Sequence, residues 1–351
     1  MNWFDQLASI EAYDRSAFDR SAFDRSAFDR GLVERLQRAA AACPPRPLVA
    51  ATPSFQAYAT SELSQCCSEA FPVLSVTGGA CALGCDHCQA KVLAPMIPAL
   101  TPEVLDAKVR GMARTRRLGG FLLSGGSNRR NEIAYERFYP VIERLKRDMP
   151  DLRIAVHTAL LDRARARAMA EAGVDTAMMD VIGSAATIRE VYHLDRPVDD
   201  FAATLDAHCA SGMAVVPHIV IGLHFGRIVG EREALSMCAA RPIDALVLVV
   251  VVPVHARPGL FLTPDLGEVA ELLVEARRLL PDTPLHLGCA RPHGVYRRTL
   301  DAYAAMAGLD AIAFPSEGCL SLARAIGRPI DQRHRCCAIE RGRLPRVEAS
   351  P

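Results

Sequence analysis

The sequence predicts an α/β protein built on a (β/α)8 barrel of the TIM type, full or nearly full, with extensions at both ends. Three observations carry this expectation. From about residue 73 to residue 315, short apolar runs alternate with amphipathic stretches of helical period. Eight such runs can be counted, the number that closes a barrel. Two of them, 215–221 and 245–252, are apolar almost throughout, as parallel strands covered on both faces should be.

Residues 1–50 read as an N-terminal extension marked by three copies of Ser-Ala-Phe-Asp-Arg over residues 16–30. A five-residue period turns a helix by about 500° per copy, so Phe18, Phe23 and Phe28 would point in three directions. In a strand the same period alternates the faces. Neither geometry makes a continuous buried stripe, so the segment is expected to be peripheral. The barrel follows over 51–315, with strands at 73–77, 120–124, 154–158, 176–181, 215–221, 245–252, 285–289 and 311–314. Thr101-Pro102-Glu103 and Thr263-Pro264-Asp265 each offer a capping residue, a proline for the first turn and an early acid. After the second, Leu266, Val269, Ala270, Leu273, Ala276 and Leu280 share one helical face. Residues 316–351 form a C-terminal extension.

Composition narrows the function. The 41 basic residues nearly cancel the 40 acidic ones, and the net charge of +1 gives no electrostatic reason to expect nucleic acid or an anionic membrane as partner. The longest apolar run, 245–254, contains Pro253 and is too short to span a bilayer. The N-terminus, with Asn2, Asp5 and Glu11, lacks the pattern of a secretory signal, so a cytoplasmic location is expected. Twelve cysteines in a reducing compartment point to metal or redox chemistry, not to disulfides.

Val76-Thr77-Gly78-Gly79-Ala80-Cys81-Ala82-Leu83-Gly84-Cys85-Asp86-His87-Cys88 is the most informative stretch. Three thiols at C-x3-C-x2-C follow directly after the first barrel strand. Thiolates are the usual ligands of iron–sulfur clusters, and a compact loop with three of them can hold a cubane and leave its fourth iron open. Gly78, Gly79 and Gly84 would let the backbone wrap closely. The competing reading is a Cys3His zinc knot through His87, made awkward by His87 lying next to Cys88.

The spacing and its place after the first strand resemble the radical S-adenosylmethionine (SAM) superfamily. The resemblance implies a [4Fe–4S] cluster on Cys81, Cys85 and Cys88. Its open iron would bind SAM, which is cleaved to a 5′-deoxyadenosyl radical that abstracts hydrogen from substrate. His87 would take the place of the aromatic residue beside adenine. Gly125, Gly126 and Ser127 would form the turn that meets the methionine amino group, and Asp180 would reach the ribose. Val220 and Gly222, in His218-Ile219-Val220-Ile221-Gly222, would correspond to a G-x-I-x-G pattern near adenine, although its first glycine is His218 here. His157 is a further polar residue at a strand end.

Within that superfamily the chain is similar to the biotin and lipoyl synthase group over about residues 53–338, most of all to one component of a two-protein lipoyl synthase. Thr52-Pro53-Ser54-Phe55, Ser75-Val76-Thr77-Gly78, Cys289-Ala290-Arg291-Pro292, Ala313-Phe314-Pro315 and Cys336-Cys337 carry the similarity. It implies a sulfurtransferase inserting sulfur into an octanoyl chain on a carrier protein. A second radical SAM protein and an electron donor such as ferredoxin or flavodoxin would be its partners. A sacrificial auxiliary cluster is expected on Cys289, Cys336 and Cys337, with Arg291 beside it. The N-terminal Cys43, Cys66 and Cys67 do not have the spacing of lipoyl synthases, and Cys209 and Cys238 read as core residues of helices. The alternatives are a radical SAM methylase or mutase acting on a cofactor, or a non-catalytic iron–sulfur or zinc protein.

Overall fold

The structure is a computed structural model and describes residues 2–13, 27–41, 46–53, 57–63, 71–115 and 117–333. The strands are β1 (Leu48–Ala51), β2 (Val73–Ser75), β3 (Ile97–Pro98), β4 (Gly120–Ser124), β5 (Arg153–His157), β6 (Thr176–Met178), β7 (Ala214–Val215), β8 (His218–Ile221), β9 (Leu246–Val250), β10 (Leu285–Leu287), β11 (Ala311–Ala313) and β12 (Ile330–Arg333). They form two six-stranded sheets, in the orders β3-β2-β4-β5-β6-β7 and β12-β1-β11-β10-β9-β8, and every ladder is parallel. Each expected run contains a strand. The run 215–221 is split into β7 and β8 around Pro217, which has no N–H to give to a ladder. Across that break, Val216 and His218 donate to the carbonyls of Ala177 and Met179, and His218 accepts from Val181, so one broken strand joins the two sheets.

The sheets therefore follow one another as a barrel wall of β2, β4, β5, β6, β7/β8, β9, β10 and β11. Among the described residues no ladder joins the edges that β3 and β12 present, so the hydrogen-bonded circle is not closed. β1, which was not anticipated, lies between β11 and β12. Val49, Ala50 and Ala51 pair with Ala311, Ile312 and Ala313 on one side and with Asp331, Gln332 and Arg333 on the other.

Period-two alternation sorts the side chains. Leu74, Phe121, Leu123, Ile154, Val156 and Ala177 face the helices of the first half. Ile219, Ile221, Leu246, Leu248, Val250, Leu285, Leu287 and Ile312 do the same in the second. The intervening positions face inward: Ala155, Met178, Val216, Val247 and Val249 pack with Phe71 into an apolar layer inside the wall. The same alternation puts His157, Asp180 and His218 on the inner face, toward the C-terminal ends of the strands where barrel sites form.

The N-terminal helices Trp3–Ala8 and Arg30–Ala41 pack on Val295–Met306 and Cys319–Ala325. Most of the repeat segment lies outside the described residues. The expectation of a wholly peripheral segment is corrected at Phe28, which is buried edge-on between Tyr13 and Tyr303 at 5.4 and 5.5 Å. The reason is local: Asp29 caps the following helix by accepting from Leu32 N–H, and its own N–H donates to the Tyr303 hydroxyl, which turns Phe28 inward. Among the described residues no helix is long and apolar enough to cross a membrane.

Candidate active site

The loop after β2 brings Cys81, Cys85 and Cys88 to the C-terminal end of the barrel wall. Cys85 is buried, and Cys81 and Cys88 are half-buried. The Cys85 and Cys88 thiols act on one another: the interaction between them raises Cys85, as burial does too, and lowers Cys88 with help from His87. One of the pair thus already carries thiolate character, the form that binds metal.

Gly78 and Gly84 have φ of +60° and +68°, so the turns at these two positions need glycine. Gly79 shows neither a positive φ nor a crowded Cβ position, contrary to the expectation for it. Immediately after Cys88, Gln89 and Ala90 both adopt left-handed backbone, at φ of +48° and +57°. Strain of this kind persists only where the surroundings hold it. Here Gln89 donates its N–H and its side-chain amide to Cys85 O, and Lys91 N–H donates to Cys88 O.

The β4 turn clasps this loop from one side. Ala82 N–H donates to Ser127 O, the Cys81 Sγ lies 3.7 Å from the same oxygen, and Gly126 N–H donates to Thr77 Oγ1 at 2.7 Å. A Cβ on Gly126 would fall 2.1 Å from Ala80 O and 2.6 Å from Cys81 Cα, so this glycine is required by close approach to the first cysteine. Gly125 is similarly confined, by Val76. On the opposite side Asp86 is the fastening that sequence reasoning missed. It is 3% exposed, its N–H donates to Val191 O, and its carbonyl accepts from Arg257 N–H. Its carboxylate lies 3.2 Å from His193 Nε2 and 3.0 Å from Arg257 Nε, the latter an ion contact and not an aligned hydrogen bond. Lys91 reaches the carbonyls of Val254 and Ala256, so the loop after β9 is tied to the cysteine loop twice. An acid inside a cysteine motif was the available signal, but its partners lie far away in sequence.

His87 stacks on Tyr192 with centroids 4.9 Å apart, and among the described residues its buried Nδ1 and the Tyr192 hydroxyl have no hydrogen-bond partner. Further in, His157 Nε2 lies 3.6 Å from Asp180 Oδ1, and the His157 and His218 rings meet edge to face at 5.3 Å. Burial works to raise the Asp180 carboxyl. The contact with His157 and the fields of His157, His218 and His87 outweigh it and hold the group at about 2. Burial, reinforced by His157, pushes His218 down to about 4.

The remaining expected residues are placed as follows. Val220 is on β8, packed on the apolar layer. Gly222 follows β8 at φ +77°, and a Cβ there would meet Pro264 at 2.3 Å, so packing accounts for this glycine. The loop it begins is organised by Glu231, whose carboxylate accepts from the N–H groups of Gly222, Leu223, Val229 and Gly230. Cys289 is exposed beyond β10, while Cys336 and Cys337 lie outside the described residues, as do Cys43, Cys66 and Cys67. The reading of Arg291 as a cluster-side arginine is corrected. Its guanidinium is fully buried, paired in bidentate fashion with Asp301 at 2.7 and 2.9 Å, and donates to Gly288, Ala313 and Phe314 carbonyls. Cys238 is buried in the helix Glu231–Ala239, and Cys209 ends Val198–Cys209 against the same core.

The donor set fits an iron–sulfur cluster: soft thiols, one favoured as thiolate, on a loop fixed from both sides, beside an unpartnered buried imidazole nitrogen. Among the described residues no three His, Cys, Asp or Glu side chains are gathered around the position of one ion, the cysteine loop included.

Comparison with known proteins agrees. Residues 75–233 match the Radical SAM superfamily. Biotin synthase of Desulforudis audaxviator (strain MP104C) is 26% identical over 251 residues, covering 68% of this chain and 73% of that protein. In fold, the chain is similar to methylornithine synthase (PylB), with a TM-score of 0.55 at 12% identity over 94% of this chain and 97% of that one. It is also similar to the FeFe-hydrogenase maturase HydG from Carboxydothermus hydrogenoformans, with a TM-score of 0.52 at 16% identity over 88% and 69%. Residues 75–233 thus carry a radical SAM domain on a parallel, barrel-like α/β fold, and the chain is related in sequence to biotin synthase.

Proposed function

We propose that this enzyme inserts sulfur at an unactivated C–H bond of an octanoyl chain carried on a lipoyl-carrier protein, as one component of a two-protein lipoyl synthase. The observation that carries the radical chemistry is the cysteine loop, fastened by Gly126 on one side and by Asp86 on the other. Cys81, Cys85 and Cys88 would hold the cluster, which when bound supplies the electron for reductive cleavage of SAM. The protein's own part is to position and shield. His87 and Tyr192 offer a stacked face beside the thiols, and Gly125, Gly126 and Ser127 bring backbone groups close to Cys81. The relationship to biotin synthase supports sulfur insertion, and Cys289, exposed at the end of the wall, would join Cys336 and Cys337 around a sulfur-donating second cluster.

One observation favours a second reading, a radical SAM methylase or mutase with a small polar substrate. The inner face carries a carboxylate and imidazoles, which a saturated acyl chain does not need. Anaerobic reconstitution, iron and sulfide analysis, and mass spectrometry on an octanoylated carrier protein test the proposal. Sulfur added to the octanoyl chain, and lost with Cys289, Cys336 and Cys337 replaced by Ala, is the expected result. SAM cleavage with an unmodified chain, and equal iron in the two proteins, would overturn sulfur insertion and leave the second reading.

A further inference from the structure

The inner face of the barrel has a polar site whose hydrogen-bonding sense can be worked out atom by atom. His218 Nδ1 lies 3.2 Å from Val216 O, and a carbonyl only accepts, so Nδ1 carries the proton. With His218 held neutral by burial and by His157, its Nε2 is left as a bare acceptor. Asp180 is ionised and is held next to His218 by the backbone bridge between their strands. Its approach to His157, at 3.6 Å, is longer than a full hydrogen bond, so the carboxylate keeps most of its accepting capacity. His157 turns Nε2 toward this carboxylate. The side chains of His157 and Asp180 are enclosed by the wall yet retain 27% and 32% of their accessible surface, which is what groups lining an internal space show. Beneath them Ala155, Met178, Val216 and Val247 form an apolar layer, with the buried His286 imidazole in register with Val247 on the neighbouring strand.

We propose that Asp180, His218 and His157 form a binding site for the hydrogen-bond-donating end of the substrate, an ammonium or a group bearing N–H or O–H, and that the site disfavours carboxylate and phosphate. A charged acceptor beside a neutral acceptor is complementary to a cationic or multiply donating group. An anion placed there would face the like charge of Asp180. The inference rests on the radical SAM reading only in calling the ligand a substrate, and it bears on the two substrates above. The methylenes of an octanoyl chain have no donor, whereas a small amine or hydroxylated molecule does. The ribose hydroxyls of SAM are the competing source of donors.

The probes are n-butylammonium and butyrate, titrated into the full-length protein by ligand-observed NMR with SAM at saturation, before and after reconstitution with iron and sulfide. Wild type is expected to bind the ammonium about tenfold more tightly than the carboxylate. Asp180→Asn, which keeps the shape and removes the charge, should lower that preference about tenfold. His218→Asn, as a second variant, should weaken ammonium binding in the same direction, and both variants should remain folded with one cooperative melting transition. Equal binding of the two probes by wild type would overturn the site. A loss of SAM affinity in Asp180→Asn with ammonium binding unchanged would give the carboxylate to the ribose and overturn the substrate assignment. Ammonium preference in a protein that takes up no iron would support the site while refuting the radical reading.

Discussion

Asp180, on the inner face of the wall, and Asp301, on the helix Val295–Met306, are both carboxylates beside a basic side chain, and they are partnered in opposite ways. Asp301 is fully buried, bound in bidentate fashion by Arg291, and accepts a further hydrogen bond from Ser316 N–H. Among the described residues Asp180 has one ion contact, at 3.6 Å to His157, and its side chain is 32% exposed. The saturated pair ties β10, β11 and the helix Val295–Met306 together, because Arg291 also donates to carbonyls at 288, 313 and 314. The open one lies within the field of His87 in the cysteine loop. The difference separates scaffold from site: where polar groups complete one another the barrel is fastened, and where they do not it is left able to bind.

The comparison makes its largest prediction at the saturated pair. Removing one partner leaves an uncompensated buried charge, so Asp301→Asn or Arg291→Ala should cost about 3–5 kcal/mol in urea unfolding. A loss below about 1 kcal/mol would mean that Arg291 is not committed to the scaffold and would reopen a role for it beside Cys289. On the same half of the molecule, Phe28→Ala should cost about 3 kcal/mol by emptying the space between Tyr13 and Tyr303. An unchanged melting temperature would return the third repeat to the periphery.

A smaller effect is expected at His208, buried in the helix Val198–Cys209 with Nε2 2.9 Å from Thr158 Oγ1. Burial lowers it to about 4, so the unfolded chain, with its ordinary histidine value, binds the proton first. The contribution is complete above about pH 6.5 and is lost as pH falls toward 4, with a slope of at most about 1.4 kcal/mol per pH unit. His208→Gln should flatten that part of the stability profile, and a variant as steep as wild type would contradict the assignment. The last effect is at Asp180. Its replacement by Asn should cost at most about 2 kcal/mol near neutral pH, because a carboxyl held below its ordinary value favours the folded state when ionised, and the cost should fade as pH drops through the acid range. A loss comparable to that of Asp301→Asn would erase the distinction between the two carboxylates.

The sequence revealed what is local and periodic. The three cysteines were legible because their ligand spacing lies within eight consecutive residues, and the eight strands because their apolar runs are bounded by turns. β1, β3 and β12 escaped because strands of two to four residues carry too little alternation to detect, and β12 is polar. Pro217 was visible, but not that it would divide a strand and make it the hinge between two sheets. Arg291 was misread because its nearness to Cys289 in sequence says nothing of direction, and its partner Asp301 lies on the following helix. Asp86 was missed because its partners lie more than a hundred positions away, and Glu231 because it is held by nearby backbone N–H groups, which no residue pattern marks.

The central claim is that the loop of Cys81, Cys85 and Cys88 holds a cluster which drives SAM cleavage. Its most direct test compares the anaerobically reconstituted wild type with the protein in which those three residues are Ala, measuring bound iron and 5′-deoxyadenosine formed under strong reductant. The account predicts that the wild type takes up about four more irons than the variant and forms 5′-deoxyadenosine, while the variant forms none. Equal iron in the two proteins, or 5′-deoxyadenosine from the variant, would contradict it.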